Sequence, residues 1–241
     1  METGDYQNER ATRVKSMFGD IANRYDLLNT IMSAGRDRSW RRVTISKANL
    51  PSGGIALDVA TGTGELAFEL ATQSSGGNIV AMDFCAEMLE RARDNQNGTG
   101  ERTSFVLGDA LRLPFPNNVF DCVTIGFGLR NMTSVPEAFR EMTRVTKPGG
   151  RVVSLELTRP KSRIMSVAHR LYLSCVMPVL GTLIAGNREA YTYLPDTILK
   201  FPSPEEIKLI MKEAGLSQIE IHPLTLGVVT VQVGTKCSEG V

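Results

Sequence analysis

The chain has 241 residues, a formal net charge of +1 and four cysteines, Cys85, Cys122, Cys175 and Cys237. Near-neutral charge excludes the electrostatic footprint of a nucleic-acid-binding protein. Scattered cysteines without a Cys-x-x-Cys pair argue against a metal site or a disulfide framework and for a reducing, cytoplasmic compartment. No apolar run reaches the ~18–20 residues that span a bilayer, the polar N-terminus is unlike a secretory signal, and the length suits a single domain over 1–241.

Residues 1–50 read as an N-terminal helical cap interrupted at Gly35, with Val14, Met17, Phe18 and Ile21 at helical spacing. Ile55–Ala60 is the first predicted strand, followed by the glycine turn Gly62-Thr63-Gly64 and a helix over Glu65–Gln73. Glycines permit a tight turn and put no Cβ in a ligand's way. The helix start adds unpaired N–H groups and a positive dipole end. This combination is a nucleotide-cofactor site at the C-terminal end of a parallel strand.

Further strands are predicted over Asn78–Asp83, Thr103–Gly108, Phe120–Gly126 and Arg151–Leu157. Helices are predicted over Ala86–Asn95 and Val135–Val145, with Lys147-Pro-Gly-Gly150 as a turn. The alternation predicts an α/β, Rossmann-like fold with a mostly parallel sheet and helices on both faces. From Pro160 the pattern changes. Residues 160–190 are apolar, broken by Pro178, Gly181 and Gly186, and read as a helical insertion over the substrate cleft. A helix over Pro204–Ala214 ends at Gly215, which suits a left-handed C-cap. Ser217–Ile221 and Val228–Lys236 complete seven strands as a C-terminal antiparallel hairpin.

The glycine motif has two readings. Gly62-x-Gly64-x-x-Ala67 satisfies the dinucleotide fingerprint, with Asp83 about 20 residues on, where NAD folds place a ribose-binding acid. Asp58 inside the strand, where NAD folds carry hydrophobes, and Ala60-Thr61 before the first glycine point elsewhere. Leu57-Asp-Val-Ala-Thr-Gly-Thr-Gly-Glu-Leu-Ala67 looks like motif I of S-adenosylmethionine (SAM) methyltransferases, so SAM is the preferred cofactor. Asp83 then accepts the ribose hydroxyls, or else caps the helix that follows it. Asp109 accepts from the adenine amino group and the Ala110 N–H donates to the ring; a simple turn is the competing reading. Arg130, past the fourth strand, faces the cleft by the geometry of this fold class. Arginine is suited to holding a phenolate or orienting water, with a surface salt bridge as the alternative. Two histidines are present, His169 and His222. A lone histidine is more often structural, although His169 lies in the insertion. Tyr172, Tyr191 and Tyr193 line an aromatic pocket or belong to the core.

Three segments together carry a family resemblance. Tyr25-Asp-Leu-Leu-Asn-Thr-Ile-Met-Ser-Ala-Gly-Arg-Asp-Arg-Ser-Trp40 resembles the first signature of the menaquinone/ubiquinone C-methyltransferases. Phe127-Gly-Leu-Arg-Asn131 resembles their motif after the fourth strand, and Arg144–Thr158 their second signature. The resemblance implies methylation of a polyprenylated quinol ring carbon, demethylmenaquinol foremost, with SAM as donor. It carries SAM contacts onto Thr63, Asp83, Asp109 and Ala110, beside Asp58, Gly62 and Gly64 of motif I. The chain departs from the family at Gly126, where a serine is usual, and at Asp37 and Cys175, where histidines are.

Carbon methylation requires a nucleophilic ring carbon aligned with the sulfonium methyl. Deprotonating a hydroquinone hydroxyl supplies the nucleophile, and alignment supplies much of the rate. Arg130 is expected to stabilise the phenolate, and Asp37, Tyr172 or water to take the proton. The apolar 161–186 segment is expected to shield the ring and to make a reversible, peripheral membrane contact. The reading leaves a homodimer open, along with two competing functions: methylation of another hydrophobic acceptor, and non-catalytic nucleotide binding.

Overall fold

The computed structural model describes residues 25–74, 76–96, 102–176 and 195–237, together with Thr12, Ser16 and Gly19. The predicted insertion beyond residue 176, with Pro178, Gly181, Gly186, Tyr191 and Tyr193, lies outside the described residues. So do Val14, Met17, Phe18 and Ile21.

Helices α1 (Tyr25–Met32) and α2 (Asp37–Ala48) lie directly before the sheet. Then come β1 (Ile55–Val59), α3 (Glu65–Gln73), β2 (Asn78–Asp83), α4 (Ala86–Asn95), β3 (Thr103–Leu107) and β4 (Phe120–Gly126). They are followed by α5 (Val135–Val145), β5 (Thr146–Leu157), α6 (Arg163–Leu171), α7 (Pro204–Glu213), β6 (Leu216–Leu224) and β7 (Val229–Lys236). The seven strands form one sheet in the order β3-β2-β1-β4-β5-β7-β6. The first five pair in parallel, and β7 runs antiparallel to both β5 and β6. The expected mixed sheet with a C-terminal antiparallel hairpin is the observed one.

Strand periodicity explains how the sheet is filled. On β1, Leu57 and Val59 join a core with Val123, Ile125, Val152 and, from α5, Phe139. Ala56 joins the opposite core with Ile79, Cys122, Val153 and the α3 residues Leu66 and Leu70. Successive residues point to opposite faces, so central strands covered on both sides must be apolar throughout. Asp58 breaks that rule, and its environment is described below.

Helix starts are written in local chemistry. Ser134 caps α5 by accepting from the Glu137 N–H, with Pro136 in the first turn. Ser203 and Glu206 form a reciprocal capping box on α7. Gly215 follows α7 with φ +91, as the C-cap reading expected. Several boundaries shift by one to three residues, and the largest shift is at β5. The Lys147–Gly150 turn is absorbed into β5: Thr146 pairs with Phe120 and Arg151 with Cys122, so the glycines bulge out of register within the strand. A Cβ on Gly150 would lie 2.7 Å from the Asp121 carbonyl oxygen, so the bulge closes only around glycine.

Candidate active site

The C-terminal ends of β1, β2 and β4 open onto a cavity of about 400 Å³. Gly62, Asp83, Asp109, Ala110, Gly126 and Phe127 are among its walls. The chain turns sharply there. Ala60 after β1 (φ +52) and Phe127 after β4 (φ +57) both occupy the left-handed region, which costs a non-glycine residue about 1–3 kcal/mol. A Cβ on Gly128 would approach the Ala60 Cβ to 2.8 Å, so glycine is what lets the two loops meet.

Asp83 is 5% exposed and holds the glycine turn from beneath. Its Oδ2 accepts from the Gly62 N–H at 2.8 Å and its Oδ1 from the Cys85 N–H at 2.9 Å. Burial raises its pKa, and the N–H groups of Cys85, Gly62 and Phe84 oppose that shift. A carboxylate offers about four lone-pair sites, so acceptor capacity for a ribose hydroxyl remains beyond these three main-chain donors. Asp109 closes a short turn through Oδ1, which accepts from the Leu111 N–H at 2.9 Å. The Ala110 N–H has no partner among the described residues and borders the cavity. One acceptor and one donor side by side suit an adenine edge.

Three expected cofactor contacts sit behind the wall instead of in it. Asp58 is 1% exposed and accepts from the hydroxyls of Thr61 and Thr124, each at 2.7 Å. Burial pushes its pKa up to about 6 against those two bonds. It ties the turn after β1 to the neighbouring strand β4, and it positions the cofactor loop without lining it. Thr63 donates to Asp26 Oδ1 at 2.5 Å, joining the loop to α1. Gly64 (φ +88) serves packing, since a Cβ there would lie 2.6 Å from the Phe68 ring. Gly126 does line the cavity, and a Cβ on it would meet Leu66 at 3.2 Å.

A second chamber, of about 110 Å³, adjoins the first, and Tyr25 and Phe127 border both. It gathers the three expected catalytic residues, Asp37, Arg130 and Tyr172. Each is already engaged. Asp37 accepts from Arg41 at 2.9 Å and from the Ser33 hydroxyl at 3.0 Å. Arg130 Nη1 pairs with Glu156 Oε1 at 2.6 Å and also donates to the Phe127 carbonyl, while its Nε is buried without a partner. The Tyr172 hydroxyl donates to the Met32 carbonyl at 2.8 Å, and burial raises its pKa. Burial raises the Tyr25 phenol as well, against the nearby Arg130 charge. Cys175, at the family histidine position, is exposed and stands outside this chamber.

Tyr25 and Phe127 had no separate place in the sequence reading, although each opens a segment quoted for the resemblance. Their shared place in both linings depends on α1 and the residue after β4 coming together in space, which no local spacing encodes.

A seven-stranded sheet of this order, with a glycine turn, a buried carboxylate and a short polar edge at successive strand ends, defines a SAM-dependent methyltransferase. SAM is its co-substrate. Within that class the chain belongs to the ubiE/COQ5 methyltransferase family, whose model matches residues 6–236. The demethylmenaquinone methyltransferase of Deinococcus radiodurans is 43% identical over 233 residues, 97% of this chain and 96% of that protein. The ubiquinone/menaquinone biosynthesis C-methyltransferase UbiE of Pseudomonas paraeruginosa is 41% identical over 238 residues, 96% of this chain and 93% of that one. A solved SAM-dependent methyltransferase from Thermotoga maritima shares the fold at 18% identity, with a TM-score of 0.66 over 92% of this chain and 98% of its own.

Proposed function

We propose that this protein transfers the methyl group of SAM to a ring carbon of a polyprenylated quinol, with demethylmenaquinol as the acceptor. The observation that carries the reading is the small second chamber joined to the cofactor cavity at Tyr25 and Phe127. An adenosine held at Asp83 and Asp109 leaves Gly62, Gly126 and Phe127 for the methionine end, on the side of the partition. Met32, Trp40, Leu157, Leu173 and Val228 give the second chamber apolar walls, and Arg130 brings a cation to it. That combination suits an aromatic ring bearing an ionisable hydroxyl. Arg130 stabilises the phenolate, and the enclosed site aligns ring carbon and methyl group.

The test is methyl transfer from labelled SAM by the purified protein. Reduced demethylmenaquinol should become labelled on carbon. Labelling of a sterol or other non-quinol lipid, with none of the quinol, would move the assignment to another hydrophobic acceptor.

We also propose a cytoplasmic enzyme that touches the membrane reversibly. No helix among the described residues is long and apolar enough to cross a bilayer. On α6, Ile164, Val167 and Leu171 are exposed at helical spacing, with Arg163 and Arg170 on the same helix. Leu27 and Ile31 are exposed on α1, whose last turn meets the end of α6 through Met32 and Tyr172. An apolar helix face with flanking arginines suits an anionic lipid surface, where a polyprenyl tail also resides. Flotation with phosphatidylglycerol vesicles should carry part of the protein, and serine at positions 164, 167 and 171 together should release it. Equal flotation of that variant would remove α6 as the contact.

A further inference from the structure

Helix α6 turns one residue into the protein, and that residue is His169, at 9% exposure. An amphipathic helix ordinarily presents a hydrophobe at its buried position. Here an imidazole reaches the second chamber and has no hydrogen-bond partner among the described residues. Every other ionisable group of that chamber is committed. Asp37 and Arg41 on α2 pair with each other, and Arg41 also with Glu65. Arg130 after β4 pairs with Glu156. Tyr172 spends its proton on Met32, and the Tyr25 phenol on α1 is a weakened acid through burial. A base needs a free lone pair and a modest affinity for a proton. An ion-paired carboxylate, an arginine and two phenols with raised pKa values do not offer that combination.

We infer that His169 accepts the proton of the acceptor's ring hydroxyl, in place of the previously expected Asp37 or Tyr172. This rests on the quinol reading above. The neutral imidazole nitrogen takes the hydroxyl proton, and the O–H electron pair stays on oxygen as phenolate. A ring-carbon electron pair then bonds to the sulfonium methyl while the sulfur–methyl pair returns to sulfur, leaving a neutral thioether. The ring carbon, now bearing both hydrogen and methyl, loses its proton to water. The imidazolium returns its proton to the oxygen, restoring an aromatic hydroquinone and a neutral His169. The net release is one proton per methyl transferred. Burial lowers the His169 pKa from its ordinary value, so the ring enters the cycle uncharged at neutral pH.

The experiment is the pH dependence of kcat/KM for quinol methylation by the full chain, with SAM affinity measured in parallel. The wild type should lose activity as pH falls through a single ionisation below about 6.5. His169→Gln should keep SAM affinity within about two-fold, lower kcat by about 10²-fold or more, the scale of one general base, and abolish that acid limb. Added imidazole should restore part of the rate to His169→Ala and none to His169→Gln. A His169→Gln enzyme with wild-type kcat and an unchanged acid limb would overturn the assignment, as would a wild-type profile flat from pH 5 to 8. Failure of the wild type to methylate any quinol would instead overturn the quinol reading, and the hydroxyl-proton task of His169 with it.

Discussion

The cofactor cavity is made of main chain and short side chains at the ends of neighbouring strands. The chamber beside it, proposed above for the acceptor, is made of long side chains from α1, α2 and α6 and from the ends of β4 and β5. In the first, the carboxylates of Asp83 and Asp109 are bonded by main-chain N–H groups, those of Cys85 and Leu111 two residues on and that of Gly62 on the neighbouring strand end. In the second, the ionic groups hold one another: Asp37 with Arg41, and Arg130 with Glu156. A wall of backbone is set by strand and turn geometry and tolerates little change in shape. A wall of side chains can exchange residues while keeping its volume. Asp37 departs from the family pattern in the second; in the first, motif I keeps its form and the departure is the loss of a side chain at Gly126.

The largest effect should come from the ion pair of the acceptor chamber. Arg130→Ala strands the buried Glu156 carboxylate, and breaking such a pair costs about 3–5 kcal/mol. Denaturant unfolding should show that loss, with turnover reduced about 10²-fold in the fraction that stays folded and SAM affinity nearly unchanged in calorimetry. A collapse of SAM affinity in a stably folded Arg130→Ala protein would join the two chambers energetically and end the comparison.

Next in size is Asp58, which supports the cofactor wall from within the sheet. Asp58→Ala leaves the hydroxyls of Thr61 and Thr124 without their acceptor, about 2–4 kcal/mol at pH 5. The pH dependence is distinctive. The folded-state pKa of about 6 lies above the ordinary 3.8, so the stability tied to the protonated carboxyl is present below 3.8 and lost as pH rises through about 6. The gap between wild type and variant should therefore shrink by about 1–2 kcal/mol between pH 5 and pH 8. Chemical denaturation at the two pH values measures it, and a constant gap would show that Asp58 ionises like an exposed carboxyl.

Asp83→Ala sharpens the comparison from the ligand side. It should weaken SAM by about 1–3 kcal/mol and leave NAD without measurable binding, both read by calorimetry. Unchanged SAM affinity would reduce Asp83 to a brace for Gly62 and Cys85. The smallest effect is expected from Tyr172→Phe, which removes one neutral hydrogen bond to Met32, about 1 kcal/mol. Thermal melts should register it while the acid limb of the rate stays in place; loss of that limb would return Tyr172 to the proton path.

The strand ends were legible because their chemistry is local. A buried apolar run, two glycines and an acid at each following strand end place a cofactor site by spacing alone, since parallel strands must present their C-terminal ends together. Asp58, Thr63 and Gly64 fall outside the cavity lining. Sequence marks them as members of the motif but does not say which side of the loop each faces. Asp37, Arg130 and Tyr172 lie in one region, yet their partners were invisible. Arg41 is the exception, one helical turn from Asp37.

By itself, then, the sequence determined the sheet, the glycine turn, the capped helices and the family, because periodicity, φ preference and capping are properties of a few adjacent residues. Tertiary structure alone decided that Asp58 braces the sheet, that Tyr25 and Phe127 border two chambers, and that His169 faces the second chamber without a hydrogen-bond partner among the described residues. Those outcomes depend on which polar atoms meet across long stretches of chain, 26 residues from Arg130 to Glu156 and 140 from Met32 to Tyr172. Hydrogen bonds of that kind are settled by packing, after the local rules have been spent.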